Sequence, residues 1–116
     1  MSDLFIYFDN LSDASQIPPD SILSRTVVNT DQVKVTLFHF AAGQELSEHT
    51  ASMPAIIQIL AGEARLTLGD EVKEVGPGAY AYMTAGLKHA IYAHTPVVML
   101  LEMLKKPRSE QTRGAA

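Results

Sequence analysis

GQELSEHTASMPAIIQILAG, residues 43 to 62, holds the pattern from which the fold can be read. It opens on Gly43, runs through a polar segment carrying His49, and passes Pro54 into the apolar run Ile56 to Leu60, broken only by Gln58. Gly62 ends the run. A second stretch, GAYAYMTAGLKH at residues 78 to 89, has the same parts: a glycine, a histidine several residues on, and strand-like sequence beside it. Short apolar runs bounded by glycine read as buried strands.

The flanking sequence agrees. Ile22 to Val28 reads as a strand and Asn29-Thr30-Asp31 as a turn. Gln32 to Phe40 alternates, with Val33, Val35, Leu37 and His39 on one side and Lys34, Thr36, Phe38 and Phe40 on the other. Both sides carry large apolar residues, so both are expected to be covered, as in a sandwich or a dimer. Ala64 to Leu68 and Glu71 to Val75 flank Gly69-Asp70, a hairpin signal with glycine first. A strict two-residue loop faces Arg65 with Glu74, a favourable pair, but also Leu66 with Lys73, which leaves the register open by one residue. Ala79 to Met83, His89 to Ala93 and Val97 to Leu104 complete the strands, the last apolar except for Glu102. Many short strands with frequent turns, and no useful helical period, give an all-β barrel or sandwich.

The ends differ from this middle. Leu4 to Phe8 is a short apolar-aromatic run, either an edge strand on its own sheet or an arm onto a partner subunit. The segment to Asp20 is loop with one helical turn at Ser12 to Ser15, and Pro18-Pro19 excludes a helix interior. Lys105 to Ala116 lacks apolar periodicity and reads as a solvated tail with a small basic cluster at Lys105, Lys106 and Arg108. The organisation is therefore arm and loop over 1–20, barrel over 21–104 and tail over 105–116.

At 116 residues the chain supports one core. It has no cysteine, which removes disulfides, thiolate metal sites and cysteine nucleophiles. A net charge of −4 argues against nucleic acid as a partner. The opening MSDLFIYFDN has no basic segment ahead of its apolar residues, and no apolar run approaches the roughly 18 to 20 residues that span a bilayer. A cytoplasmic protein without membrane partners is expected. No phosphate-binding glycine loop or serine nucleophile elbow is present.

The two glycine–histidine stretches resemble the signature motifs of the cupin superfamily. The first motif of that family reads Gly, five residues, His-x-His, three or four residues, Glu, six residues, Gly. Gly43, His49 and Gly62 match it, while Ala51 stands at the second histidine and Ala55 at the glutamate. The second motif reads Gly, five residues, Pro-x-Gly, two residues, His, three residues, Asn. Gly78, Gly86 and His89 match, with Thr84 for the proline and Ala93 for the asparagine. The resemblance covers about Ser21 to Leu104. It implies a double-stranded β-helix, or jelly roll, of the small single-domain RmlC-like type, usually a homodimer.

It also implies a pocket. His49 and His89 stand at the family's first and last metal-ligand positions, and are expected to share one cavity. Two imidazoles are a weak site, because catalytic zinc takes three protein ligands and non-haem iron two histidines and a carboxylate. A bound Zn, Fe, Mn or Ni needs a further donor, for which His39 on the preceding strand and Glu102 are candidates, each more simply a packed or solvated residue. Gln58 and Met83 are candidate ligand-binding residues; Gln58 otherwise faces outward or pairs with main chain, and Met53, Met83 and Met99 otherwise fill the core. Tyr80 and Tyr82 line a pocket or an interface, or simply pack. No catalytic residue is assigned. Three functions remain open: a module binding a small molecule between His49 and His89, a metal-dependent dioxygenase, isomerase or decarboxylase, and a structural homodimer.

Overall fold

The computed structural model describes residues 4–105. Most of the expected tail, with Lys106 and Arg108, lies outside the described residues. Nine strands follow one another: β1 (Ile22–Asn29), β2 (Val33–Phe40), β3 (Glu45–His49), β4 (Ala55–Ala61), β5 (Ala64–Leu68), β6 (Glu71–Val75), β7 (Tyr80–Met83), β8 (His89–Ala93) and β9 (Val97–Leu104). They form a five-stranded sheet, β1-β2-β9-β4-β7, and a four-stranded sheet, β3-β8-β5-β6. Every pairing is antiparallel. From β2 onward the chain crosses between sheets at nearly every connection, which is the jelly-roll winding of a double-stranded β-helix.

Alternation decides what each sheet face holds. The inner faces meet in a core that includes Phe40, Ile59, Met83, Val97 and Met99, all at most 2% exposed. Burying side chains of this size stabilises by roughly 1.5–3 kcal/mol each. The outer face of the large sheet has its own apolar cluster, Val35, Leu37, Val98 and Leu100. Leu11 and Ile17 pack onto it, so the N-terminal loop covers part of the second apolar face of β2. That loop contains turns where one helical turn was expected at Ser12 to Ser15; Asn10 and Asp13 bind the backbone N–H groups of Ser12 and Ser15 in Asx turns that compete with helix. Leu4 to Phe8 forms no strand and is exposed.

The β5–β6 hairpin keeps the strict register: Arg65 faces Glu74 and Leu66 faces Lys73. The second pairing is tolerated because β6 is the edge of its sheet. Leu66 is buried there, while Lys73 is exposed and pairs with Glu71 at 3.1 Å. Charge on an edge strand also discourages pairing with other chains.

Two glycines differ in what they require. At Gly62, φ is +89° and a Cβ would stand 2.0 Å from the Pro96 carbonyl oxygen and 2.9 Å from Val97 Cα. At Gly78, φ is +94° but a Cβ would meet no atom within 4 Å. Gly78→Ala therefore introduces backbone strain alone, about 1–3 kcal/mol. Gly62→Ala adds displacement of the backbone entering β9, and should cost distinctly more than its Gly78 counterpart. Urea unfolding of both variants tests the difference. Equal losses would show that strain alone, and not the approach of Pro96 and Val97, constrains the Gly62 turn.

Candidate functional site

The site begins with an irregular strand. In β3, Glu45 pairs with Tyr92 and Leu46 with Ile91, but the next partners are His49 and His89. Three residues on β3 thus oppose two on β8, a bulge of one residue. Leu46 and Ile91 face the core. Strict alternation from Leu46 would send Glu48 inward and His49 outward. The bulge reverses that parity and turns His49 to the side of the sheet that His89 shares with Ile91.

The two imidazoles meet with ring centroids 4.2 Å apart and planes 59° apart. His89 is buried at 6% exposure and His49 is exposed at the rim. His49 Nδ1 lies 2.7 Å from the Ser47 carbonyl oxygen, and His89 Nδ1 lies 3.0 Å from that of Leu87. A carbonyl oxygen only accepts, so both Nδ1 atoms carry the proton. In the neutral ring, Nε2 is then a bare acceptor on each histidine, the tautomer also suited to ligation. Both histidines border a cavity of about 410 Å³, in the size range of small-molecule sites. Its lining is mainly apolar, with Met53, Leu101 and Met103 among the wall residues, and Ala51 and Ala55 also line it.

The other candidates lie elsewhere. Gln58 pairs across the large sheet with Tyr80 and Leu100 and lines no part of the cavity, because alternation from buried Ile57 and Ile59 puts it on the outer face. Met83 is in the core at 2% exposure and does not border the cavity. Glu102 pairs with Val35 and Ile56 on the outer face. His39 follows Val35 and Leu37 on that same face; its Nε2 donates to the Asp13 carbonyl oxygen at 3.3 Å, and its buried Nδ1 has no hydrogen-bond partner among the described residues. A sheet therefore separates both proposed extra donors from the histidine pair. Tyr80 and Tyr82 are 60% and 56% exposed on the outer side.

The residues present do not fit a metal held by the protein alone. No group of three His, Cys, Asp or Glu positioned to share an ion occurs among the described residues. His49 and His89 supply two nitrogens, and alanine occupies the two positions that would complete the set.

Two lysines that the sequence reading does not assign to the site belong to it. Lys34 and Lys105 line the cavity, where Asp and Glu are absent among the lining residues. For Lys34 the signal was present: it shares the inner parity of Thr36, Phe38 and Phe40. For Lys105 there was none, since it follows the last strand. No helix among the described residues is long and apolar enough to cross a membrane.

Known structures share this fold. A conserved protein of unknown function from Streptococcus pyogenes is 34% identical over 88% of this chain and 92% of its own, with a TM-score of 0.75. A cupin superfamily protein from Desulfitobacterium hafniense is 28% identical over 78% of this chain and 84% of its own, with a TM-score of 0.74. An RmlC-like cupin with a double-stranded β-helix fold from Methanocaldococcus jannaschii is 19% identical over 80% and 88%, with a TM-score of 0.68, and speaks to fold alone. No curated protein matches the sequence. The family model described as Cupin domain matches residues 36–102, more than half of the sequence, and the chain belongs to the cupin family.

Proposed function

We propose that this cupin binds a small organic molecule in the cavity beside His49 and His89, without a resident metal. The observation that carries the reading is the pairing of two bare Nε2 acceptors with alanines 51 and 55 in one cavity of about 410 Å³. Removing ligand side chains enlarges the space and leaves it mostly apolar. An apolar wall with a few fixed polar groups favours an organic guest, whereas a cation would have to be held by two nitrogens and solvent. The bound molecule would present a hydrogen-bond donor to the histidine pair and an apolar body to Met53, Leu101 and Met103. A cytoplasmic location belongs to this reading.

The competing outcome is a metal-dependent enzyme of the dioxygenase, isomerase or decarboxylase kind. Metal analysis of protein purified without an affinity tag, repeated for His49→Ala and His89→Ala, separates the two. Well below one equivalent of Zn, Fe, Mn or Ni per chain is expected in all three proteins. Near-stoichiometric metal that disappears from both variants would overturn the metal-free reading.

We also propose a homodimer as the working assembly. Leu4, Phe5, Ile6, Tyr7 and Phe8 are 92, 73, 58, 72 and 43% exposed, a contiguous apolar run of a kind that soluble monomers seldom leave in water. Seating each arm on a second copy would cover both arms through one self-complementary contact, the commonest closed assembly. Light scattering at micromolar concentration should give twice the 12.6 kDa chain mass. Deleting residues 1–8 should yield a folded monomer. A monomeric full-length chain would count decisively against the dimer.

A further inference from the structure

We infer that the molecule bound in the His49–His89 cavity is an organic carboxylate, its anionic group recognised by Lys34. This deepens the binding reading above and rests on it.

Lys34 belongs to the inner face of β2, the parity of Thr36, Phe38 and Phe40, and pairs in register with Met103 of β9. Met103 pairs in turn with Ala55 of β4. Lys34, Met103 and Ala55 therefore form one row across three strands, and all three line the cavity. On the cavity side the neighbours of Lys34 in this row are apolar, and on its other side it pairs with Asn29 of β1. Lys34 is half-buried, and its side chain takes part in no hydrogen bond or ion pair among the described residues. A partly desolvated ammonium without a carboxylate nearby is poorly compensated, and an incoming anion supplies the missing partner.

The rest of the lining agrees with that sign. No Asp or Glu among the described residues borders the cavity, although the whole chain carries a net charge of −4. Lys105 adds a second ammonium, donating to Asn29 Oδ1 at 2.6 Å, a neutral acceptor that leaves its charge unpaired. Carboxylate is favoured over a phosphate ester because the wall is apolar. A single charge sheds less hydration against that wall than a dianion would. The two bare Nε2 atoms add a place for a hydroxyl donor, so a hydroxy acid with an apolar body matches each part of the cavity.

Matched probes test this directly. 4-Hydroxybenzoate and 6-hydroxyhexanoate, their methyl esters, and phenyl phosphate are titrated at up to millimolar concentration into wild type, Lys34→Met and Lys34→Arg, followed by NMR shifts of cavity residues. In wild type at least one acid is expected to bind about tenfold or more tightly than its ester, a difference of about 1.4 kcal/mol. Lys34→Met should lower that preference severalfold, Lys105 remaining in the lining, and Lys34→Arg should retain it. Added salt should narrow the preference. Equal binding of acid and ester in wild type overturns the carboxylate assignment and leaves the cavity reading intact, and a preference undiminished in Lys34→Met overturns the role of Lys34. Tighter binding of phenyl phosphate than of either acid overturns the carboxylate class in favour of phosphate. Shifts from none of the probes, in a variant set shown by its spectra to be folded, overturn both readings.

Discussion

One extra residue between Leu46 and His49 decides which side of the small sheet carries the first histidine. Side chains along a strand alternate, so any single-residue offset exchanges its two faces. Without the offset, Glu48 would face His89 and His49 would point to the solvent side of β3. With it, two imidazoles stand 4.2 Å apart at the cavity edge. The location makes this tolerable. β3 is an edge strand, exposed along most of its length, so a lost ladder bond can be replaced by water. The Ser47 carbonyl meets His49 Nδ1, which selects the tautomer.

The large sheet works as a partition. β2 and β9 give Lys34, Leu101 and Met103 to the cavity, and Val35, Leu37, Val98 and Leu100 to the cluster behind it. The second face is closed partly by the chain itself. Leu11 and Ile17 pack there, and the His39 side chain reaches the Asp13 carbonyl. Hydrogen bonding from the Ser15 backbone and side chain holds the Asp13 carboxyl below its ordinary range, with nearby His39 adding a smaller effect. A depressed carboxyl pKa gives a contribution present above the unfolded-state value and lost as pH falls through the lower folded-state value. Acid therefore loosens the Asp13 turn, although the group's full exposure keeps the effect small.

Much of this was legible in the sequence. Ala64–Leu68, Glu71–Val75, His89–Ala93 and Val97–Leu104 match the expected strands at both ends, because each lies between strong turn signals and has enough apolar residues to need burial. β3 was not expected. ELSEH has one apolar residue that packs inward, and its bulge destroys the period by which half-buried strands are recognised. His49 was found through motif spacing, where local alternation could not have placed it. The opposite holds for His39. The alternation Val33, Val35, Leu37, His39 already set it on the face away from Lys34, so its separation from the histidine pair was readable from period alone. Gln58, between Ile57 and Ile59, obeys the same rule. Covering of the outer face was harder to foresee, since Leu11 and Ile17 sit in a Pro-, Ser- and Asp-rich loop that carries no periodic signal.

The alanines at 51 and 55 change the electrostatic character of the cavity as well as its volume. A glutamate at position 55 would stand in the row with Met103 and Lys34 and would offer Lys34 a carboxylate within the protein. Alanine removes that possibility and leaves the ammonium without a partner among the described residues. Histidine at position 51 would add a third nitrogen beside a pair that now offers only two acceptors. Both substitutions lower the protein's capacity to hold a cation while leaving the cationic side chains of Lys34 and Lys105 in the lining. What remains is a space bounded by apolar side chains, two hydrogen-bond acceptors and positive charge. On the proposed reading, such a space disfavours another cation through like-charge repulsion and takes an anion whose body is apolar. The strand register thus links the alanines at 51 and 55 to the guest proposed for the barrel.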